Sequence, residues 1–294
     1  MSSLPLRFAA ALVFVASSAS AQQLSIASGQ KIAFLGDSIT QAGARAPAGY
    51  CRLVVRGLAL LGTKVELIPA GISGHKSNQM LARLERDVLA KKPDWMTLSC
   101  GVNDVWHGKR GVELPEYRKN ITAIVERAQT AGIKVMILTA TMIHEDADNE
   151  QNKKLAGYNA FLCQLAKDKG CVLADLNGAM QAALLSGLHK PKGNQLTTDG
   201  VHMNTLGNIV MALGVLRGFG LDEAQLARCR AAFDAIPASC GLRVDARVTA
   251  AQYRKLLEVA GESGVSVADL LAPAVDARIR ELTRAKQTPR REVR

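Results

Sequence analysis

Residues 31–40, Lys-Ile-Ala-Phe-Leu-Gly-Asp-Ser-Ile-Thr (KIAFLGDSIT), hold a short apolar run that stops at Gly36 and gives way to polar residues. Such a run, closed by a glycine, reads as a buried strand. The same pattern recurs at residues 65–68, 95–99, 134–139 and 172–175. Amphipathic helical periodicity fills the intervals, at residues 50–61, 78–90, 114–131, 149–168, 177–186 and 204–217. Apolar strands of four to six residues between long helices imply parallel pairing with right-handed crossovers. The expected architecture is a three-layer α/β/α sandwich on a five-stranded parallel sheet. Ligands in such sheets bind beyond the carboxyl ends of the strands, so the polar clusters just after the first three strands are the candidate chemistry.

Outward from this core the chain changes character at both ends. Arg7 is the only charge among the first thirty residues, residues 8–16 are apolar, and Ala19-Ser20-Ala21 fits a small-x-small cleavage site. Residues 1–21 are therefore expected to be a signal peptide. The apolar run is shorter than the roughly 20 residues that span a bilayer, so export to a periplasmic or extracellular location, without stable membrane insertion, is expected. The α/β domain is assigned to residues 22–220. Beyond Leu221 the strand pattern does not return, and residues 222–236, 249–260 and 267–283 read as helices, so residues 221–294 form a helical extension ending in a basic tail.

The composition is globular: 294 residues, 48% hydrophobic, 21% charged and only 4% aromatic. The core must be mostly aliphatic, and a binding face tiled with aromatic rings is not expected. Lys and Arg outnumber Asp and Glu by 37 to 26, a formal charge of +11. A solubilising surface charge accounts for this balance, and no nucleic-acid partner is expected. Six cysteines in an exported chain permit disulfides: Cys229 with Cys240 is the first expected pair and Cys163 with Cys171 the second, while Cys51 and Cys100 lie in apolar surroundings and read as buried thiols. Without a Cys-x-x-Cys motif, and with five scattered histidines, no zinc site is expected.

Four short motifs fall in the selected loops. Gly36-Asp37-Ser38-Ile39-Thr40 follows the first strand and offers a serine among backbone N–H groups. Gly71-Ile72-Ser73-Gly74-His75 follows the second, where Gly74 permits close backbone approach. Gly101-Val102-Asn103-Asp104-Val105-Trp106-His107-Gly108 follows the third. There Asn103 supplies an uncharged donor, although an Asx turn with Asp104 bonding local backbone fits equally. Asp199-Gly200-Val201-His202 places a carboxylate three residues before a histidine, the pairing a general base needs for its tautomer. Each motif alone is weak; together they supply a nucleophile, oxyanion donors, a base and its orienter.

The set resembles the SGNH (GDSL-like) hydrolase family over residues 31–217, in the family's order. Ile39 stands where the family name has Leu, and Pro69 where the second block often has Asn. The resemblance implies a flavodoxin-like sheet, Ser38 as nucleophile, His202 and Asp199 as base and orienter, and an oxyanion hole from the Ser38 and Gly74 N–H groups and the Asn103 amide. Asp37, His75, Trp106 and His107 are candidates for lining the substrate. No metal or organic cofactor is needed for this chemistry. The third block looks like that of acetylesterases related to rhamnogalacturonan acetylesterase, so the expected activity is removal of acetyl groups from a glycan. A lysophospholipase, short-chain carboxylesterase or thioesterase is the enzymatic alternative, and an inactive glycan-binding protein the alternative of another class. Oligomeric state is open.

Overall fold

The computed structural model describes residues 24–186, 193–236 and 247–284. The expected signal peptide, Pro237, Cys240 and residues 285–294 lie outside them. The chain divides into two compact units, residues up to Cys240 and residues from Gly241 onward.

In the first unit, five strands form one parallel sheet: β1 (Lys31–Gly36), β2 (Glu66–Gly71), β3 (Trp95–Ser99), β4 (Lys134–Leu138) and β5 (Val172–Ala174), in the order β2-β1-β3-β4-β5. The register pairs Ile32 with Trp95 and Leu35 with Leu98, then Trp95 with Lys134 and Ser99 with Leu138. Central strands need apolar residues on both faces; Ile32, Ala33, Phe34 and Leu35 are all fully buried, and all five residues of β3 are buried. Burying a side chain such as Leu35 contributes roughly 1.5–3 kcal/mol. β2 is an edge strand with an alternating burial pattern, which is why Pro69, lacking an N–H, is tolerated there.

The helices are α1 (Ser38–Arg45), α2 (Tyr50–Leu60), α3 (Ser77–Asp87), α4 (Val102–Trp106), α5 (Leu114–Thr130), α6 (Glu150–Asp168), α7 (Leu176–Leu185), α8 (Thr205–Gly218) and α9 (Glu223–Asp234). α1, α2, α7, α8 and α9 pack together on one face, and α3, α4, α5 and α6 on the other. Side-chain caps start several of them: Asn149 accepts from the Asn152 N–H, Asn204 from Gly207, and Asp222 forms a capping box with Gln225. α9 buries Leu226, Cys229 and Phe233 in the first unit, whereas the sequence reading began the extension at Leu221.

The second unit contains α10 (Ala250–Ser263) and α11 (Val267–Arg284). α10 opens with a Thr249–Gln252 capping box, and Pro273 lies inside α11. No described helix is long and apolar enough to cross a membrane.

The cysteines correct one expectation. Cys163 and Cys171 are free thiols, because Cys171 turns its Sγ toward α5, where Gln129 Nε2 donates to it at 3.6 Å. Cys229 is also free and buried, its Sγ 3.8 Å from the Gly57 carbonyl; its expected partner Cys240 lies outside the described residues. Cys51 and Cys100 are buried thiols, and burial pushes both well above the usual thiol range.

Candidate active site

The parallel topology brings the loops after β1, β2 and β3 to one edge of the sheet, and residues 199–202 meet them there. Asp37 caps α1 by accepting the Ile39 N–H at 2.9 Å, which puts Ser38 at the first helical position. The Ser38 Oγ lies 2.9 Å from His202 Nε2, and His202 Nδ1 lies 2.7 Å from Asp199 Oδ2. The second oxygen, Asp199 Oδ1, accepts the backbone N–H groups of Val201 (3.0 Å) and His202 (2.8 Å). Burial alone would raise the Asp199 carboxyl, but the His202 backbone N–H, the His202 ring and the Val201 N–H outweigh it and hold the group at about 2. An ionised Asp199 only accepts, so the imidazole carries its proton on Nδ1 and turns the Nε2 lone pair to the serine hydroxyl. That arrangement can take a proton from Ser38.

The loops after β2 and β3 carry the two other candidates, Gly74 and Asn103. Gly74 sits in the left-handed region at φ 75° with free space around its Cα, and neither its N–H nor that of Ser38 has an acceptor among the described residues. Asn103, buried near the start of α4, directs its Nδ2 toward Asp37 Oδ2 (3.2 Å) and the His75 carbonyl (3.3 Å). Both contacts are at the long end of hydrogen-bond range. Asp37 itself is 2% exposed. Burial raises its carboxyl to about 6; the Ile39 N–H opposes the rise and the nearby Asp104 adds to it.

The remaining sequence candidates fall in different places. Trp106 is half-exposed, with its ring 6.4 Å from that of His202. His107 folds back, its Nδ1 3.0 Å from the Asn103 carbonyl. His75 is engaged through its ring by Arg83, whose Nε donates to Nδ1 at 3.2 Å; burial and then the Arg83 charge lower its affinity for a proton. An open groove of about 530 Å³ lies over Ser38 and His202, lined also by Gln41, Ala42, Arg45 and Ala46.

Asp104 does not close an Asx turn. It reaches across to α3, accepting the Ser77 N–H (3.0 Å) and hydroxyl (2.6 Å), and so ties the start of α3 to α4. Sequence reasoning missed Arg83 altogether. Only 6% exposed, it donates from Nη1 to the Ala70 carbonyl and to Asp87, and from Nη2 to the Gly36 carbonyl. It thereby closes the carboxyl ends of β1 and β2 beneath the site. An arginine in an amphipathic helix carries no sign in sequence of which way it points.

A serine, histidine and aspartate in hydrogen-bond sequence at the carboxyl edge of a parallel α/β sheet have the arrangement that nucleophilic hydrolysis requires. The chain belongs to the GDSL-like Lipase/Acylhydrolase family, whose model matches residues 34–209, and is a carboxylic ester hydrolase. It is 28% identical over 218 residues to an acetylxylan esterase of Geobacillus stearothermophilus, covering 68% of this chain and 98% of the relative. Among solved structures, the acetyl xylan esterase AlAXEase is 37% identical with a TM-score of 0.58, over 64% of this chain and 98% of that one. The acetylxylan esterase Axe2 of Geobacillus stearothermophilus superposes with a TM-score of 0.61 at 27% identity, over 67% and 97%. Catalytic mutants of Axe2 have been solved in which a serine, an aspartate or a histidine is replaced by alanine.

Proposed function

We propose that this protein is an exported carbohydrate esterase that removes acetyl groups from a glycan through a Ser-His-Asp acyl-enzyme mechanism. The observation that carries the reading is the hydrogen-bond sequence Ser38–His202–Asp199, at 2.9 and 2.7 Å. His202 takes the Ser38 proton as the serine oxygen attacks the ester carbonyl. The tetrahedral oxyanion is held by the Ser38 and Gly74 N–H groups and by the Asn103 amide, which exchanges one of its long contacts for the stronger charged acceptor. Collapse expels the sugar hydroxyl with a proton from His202. Water, activated by the same imidazole, then releases acetate.

Two acetylxylan esterases among the relatives support a glycan substrate, and catalytic replacements of the same three residue types in Axe2 support the triad. The apolar run and small-x-small site at residues 8–21 support export. The test is acetate release from acetylated xylan and a panel of other acetylated polysaccharides, beside p-nitrophenyl acetate. Hydrolysis of the small ester with no release from any glycan would discard the carbohydrate assignment.

A further inference from the structure

We propose that Glu145 is a positioning residue, whose carboxylate holds the turn carrying Asp199 and His202 in register with Ser38; the proposal rests on the triad reading above. Glu145 lies between β4 and α6, some fifty positions from the segment it holds. Its Oε1 accepts the Leu196 N–H (2.8 Å), the Thr197 N–H (2.8 Å) and the Thr197 hydroxyl (2.8 Å), and its Oε2 accepts the Gln195 N–H (2.6 Å). Three consecutive backbone N–H groups converging on one carboxylate form a concave anion site, here filled by the protein's own side chain.

The hold passes directly into the catalytic turn. While donating to Glu145, the Thr197 hydroxyl accepts the Gly200 N–H at 3.1 Å. The residue before Glu145 makes the second contact, the His144 N–H donating to the Gly200 carbonyl at 2.7 Å. His144 has φ 59°, unusual for a residue with a side chain. Gly200 has φ 95°, and a Cβ there would stand 2.5 Å from His144 Nδ1. The turn and its holder are therefore fitted to each other at Gly200, between the aspartate and the histidine.

The holder is itself braced. Asn152 accepts the Ile143 N–H at 2.8 Å and donates to the carbonyls of Ile143 (2.8 Å) and Asp146 (2.6 Å), and Asn149 donates to Ile143 as well (2.8 Å). On its other side the turn is tied to α8 by the Asn204 contacts to Leu196 and Gln195. Removing Glu145 frees one side of the turn and leaves the other attached. The expected result is a displaced imidazole in a folded protein, and a displacement near 1 Å costs up to about a hundredfold in rate.

The test compares Glu145→Ala, Glu145→Gln and Thr197→Val on p-nitrophenyl acetate, with kcat normalised to active sites titrated by a fluorophosphonate serine probe. The expected result for Glu145→Ala is a kcat lowered by about tenfold or more with KM within about threefold, because the turn carries the base and not the oxyanion donors. Glu145→Gln should recover much of the loss, since one amide oxygen can keep the three Oε1 contacts while only the Gln195 contact is lost. Thr197→Val, which removes the relay to Gly200, should lower kcat in the same manner. A lower melting temperature with parental kcat per titrated site means mere structural support and overturns the proposal, as does a rise in KM alone. If Glu145→Ala does not fold, Thr197→Val decides: parental kcat there overturns the proposal too. Ser38→Ala run alongside separates the two levels. If it stays active, the triad reading fails; if it is inactive while the Glu145 and Thr197 variants match the parent, only the positioning role falls.

Discussion

Asp37 and Asn103 lean on one another beneath the site, and their chemistry can be read one residue at a time. In the unfolded chain an aspartate titrates near 3.8, whereas burial lifts the native Asp37 carboxyl to about 6. Between these values the native state binds more protons than the unfolded state, so this group lowers stability as pH rises from about 4 to about 6, and the loss is complete above that. In Asp37→Asn the charge is absent. The melting temperature of the variant should therefore gain on the parent as pH rises from 4 to 7, measured by thermal scans across that range; a gap that stays constant would mean that the carboxylate is not destabilising. Asn103→Ala belongs to the same scale. If its amide acts on the transition state, kcat should fall by about 10²–10³ with little change in KM, and steady-state kinetics showing a change in KM alone would make it a substrate-positioning group. At this scale the motifs pointed to Ser38 and Asn103 as candidates because both follow strand ends, and to Asp199 and His202 because they stand three residues apart on one turn. Arg83 and Glu145 were not legible. Their partners lie far along the chain, Gly36 for Arg83 and residues 195–197 for Glu145, and an isolated charged residue in sequence does not show its acceptors.

Elements follow the same division between local pattern and distant partner. The strand at residues 95–99 matches β3, and the long helices agree with their periodicity to within a few residues, since a buried face repeating over three or more turns leaves an unmistakable signal. The sequence pattern assigns no range to α1 or α4. At eight and five residues they are too short for a repeating face, and what stabilises them comes from outside: Asp37 caps the first, and Asp104 ties the second to Ser77. The pairing expected between Cys163 and Cys171 failed for a related reason, because proximity in sequence does not set the direction of a thiol. Arg83 shows how an element end depends on a distant side chain. The carbonyls of Gly36 and Ala70 lie at the carboxyl ends of two neighbouring strands, and both accept from one guanidinium. Arg83→Met keeps the aliphatic stem and removes both donors; the Gly36 carbonyl keeps the Ile72 N–H at 3.1 Å, while the Ala70 carbonyl loses its guanidinium donor, and the expected cost is on the order of 2 kcal/mol. The urea unfolding midpoint should fall accordingly, and an unchanged midpoint would show that water replaces the guanidinium at no cost.

Across the first unit, the strand order β2-β1-β3-β4-β5 sets the first three strands side by side, and with them the loops bearing Ser38, Gly74 and Asn103. Alternating strands and helices were enough to anticipate this edge as the candidate site, because parallel pairing forces every strand to end on the same side. The pattern could not give the form of the groove above it, which depends on side chains from α1 and on the position of His202. That groove is open, and its lining combines Gln41 and Arg45 with only the small apolar side chains of Ala42 and Ala46. An open, partly polar groove suits a bulky sugar chain and gives a long acyl tail little to bury against. Each methylene that enters a hydrophobic channel contributes up to about 0.8 kcal/mol, so a channel would favour octanoate over acetate by several kcal/mol in kcat/KM. Without one, the added carbons stay in water and the longer ester gains nothing. Acetyl esters should therefore be turned over at least as well as octanoyl esters, with kcat/KM flat or falling along the p-nitrophenyl series from two carbons to eight, measured below micelle-forming concentrations. A steady rise toward octanoate would mean that the acyl group finds an apolar channel after all, and would move the proposed substrate from acetylated glycans to lipid esters.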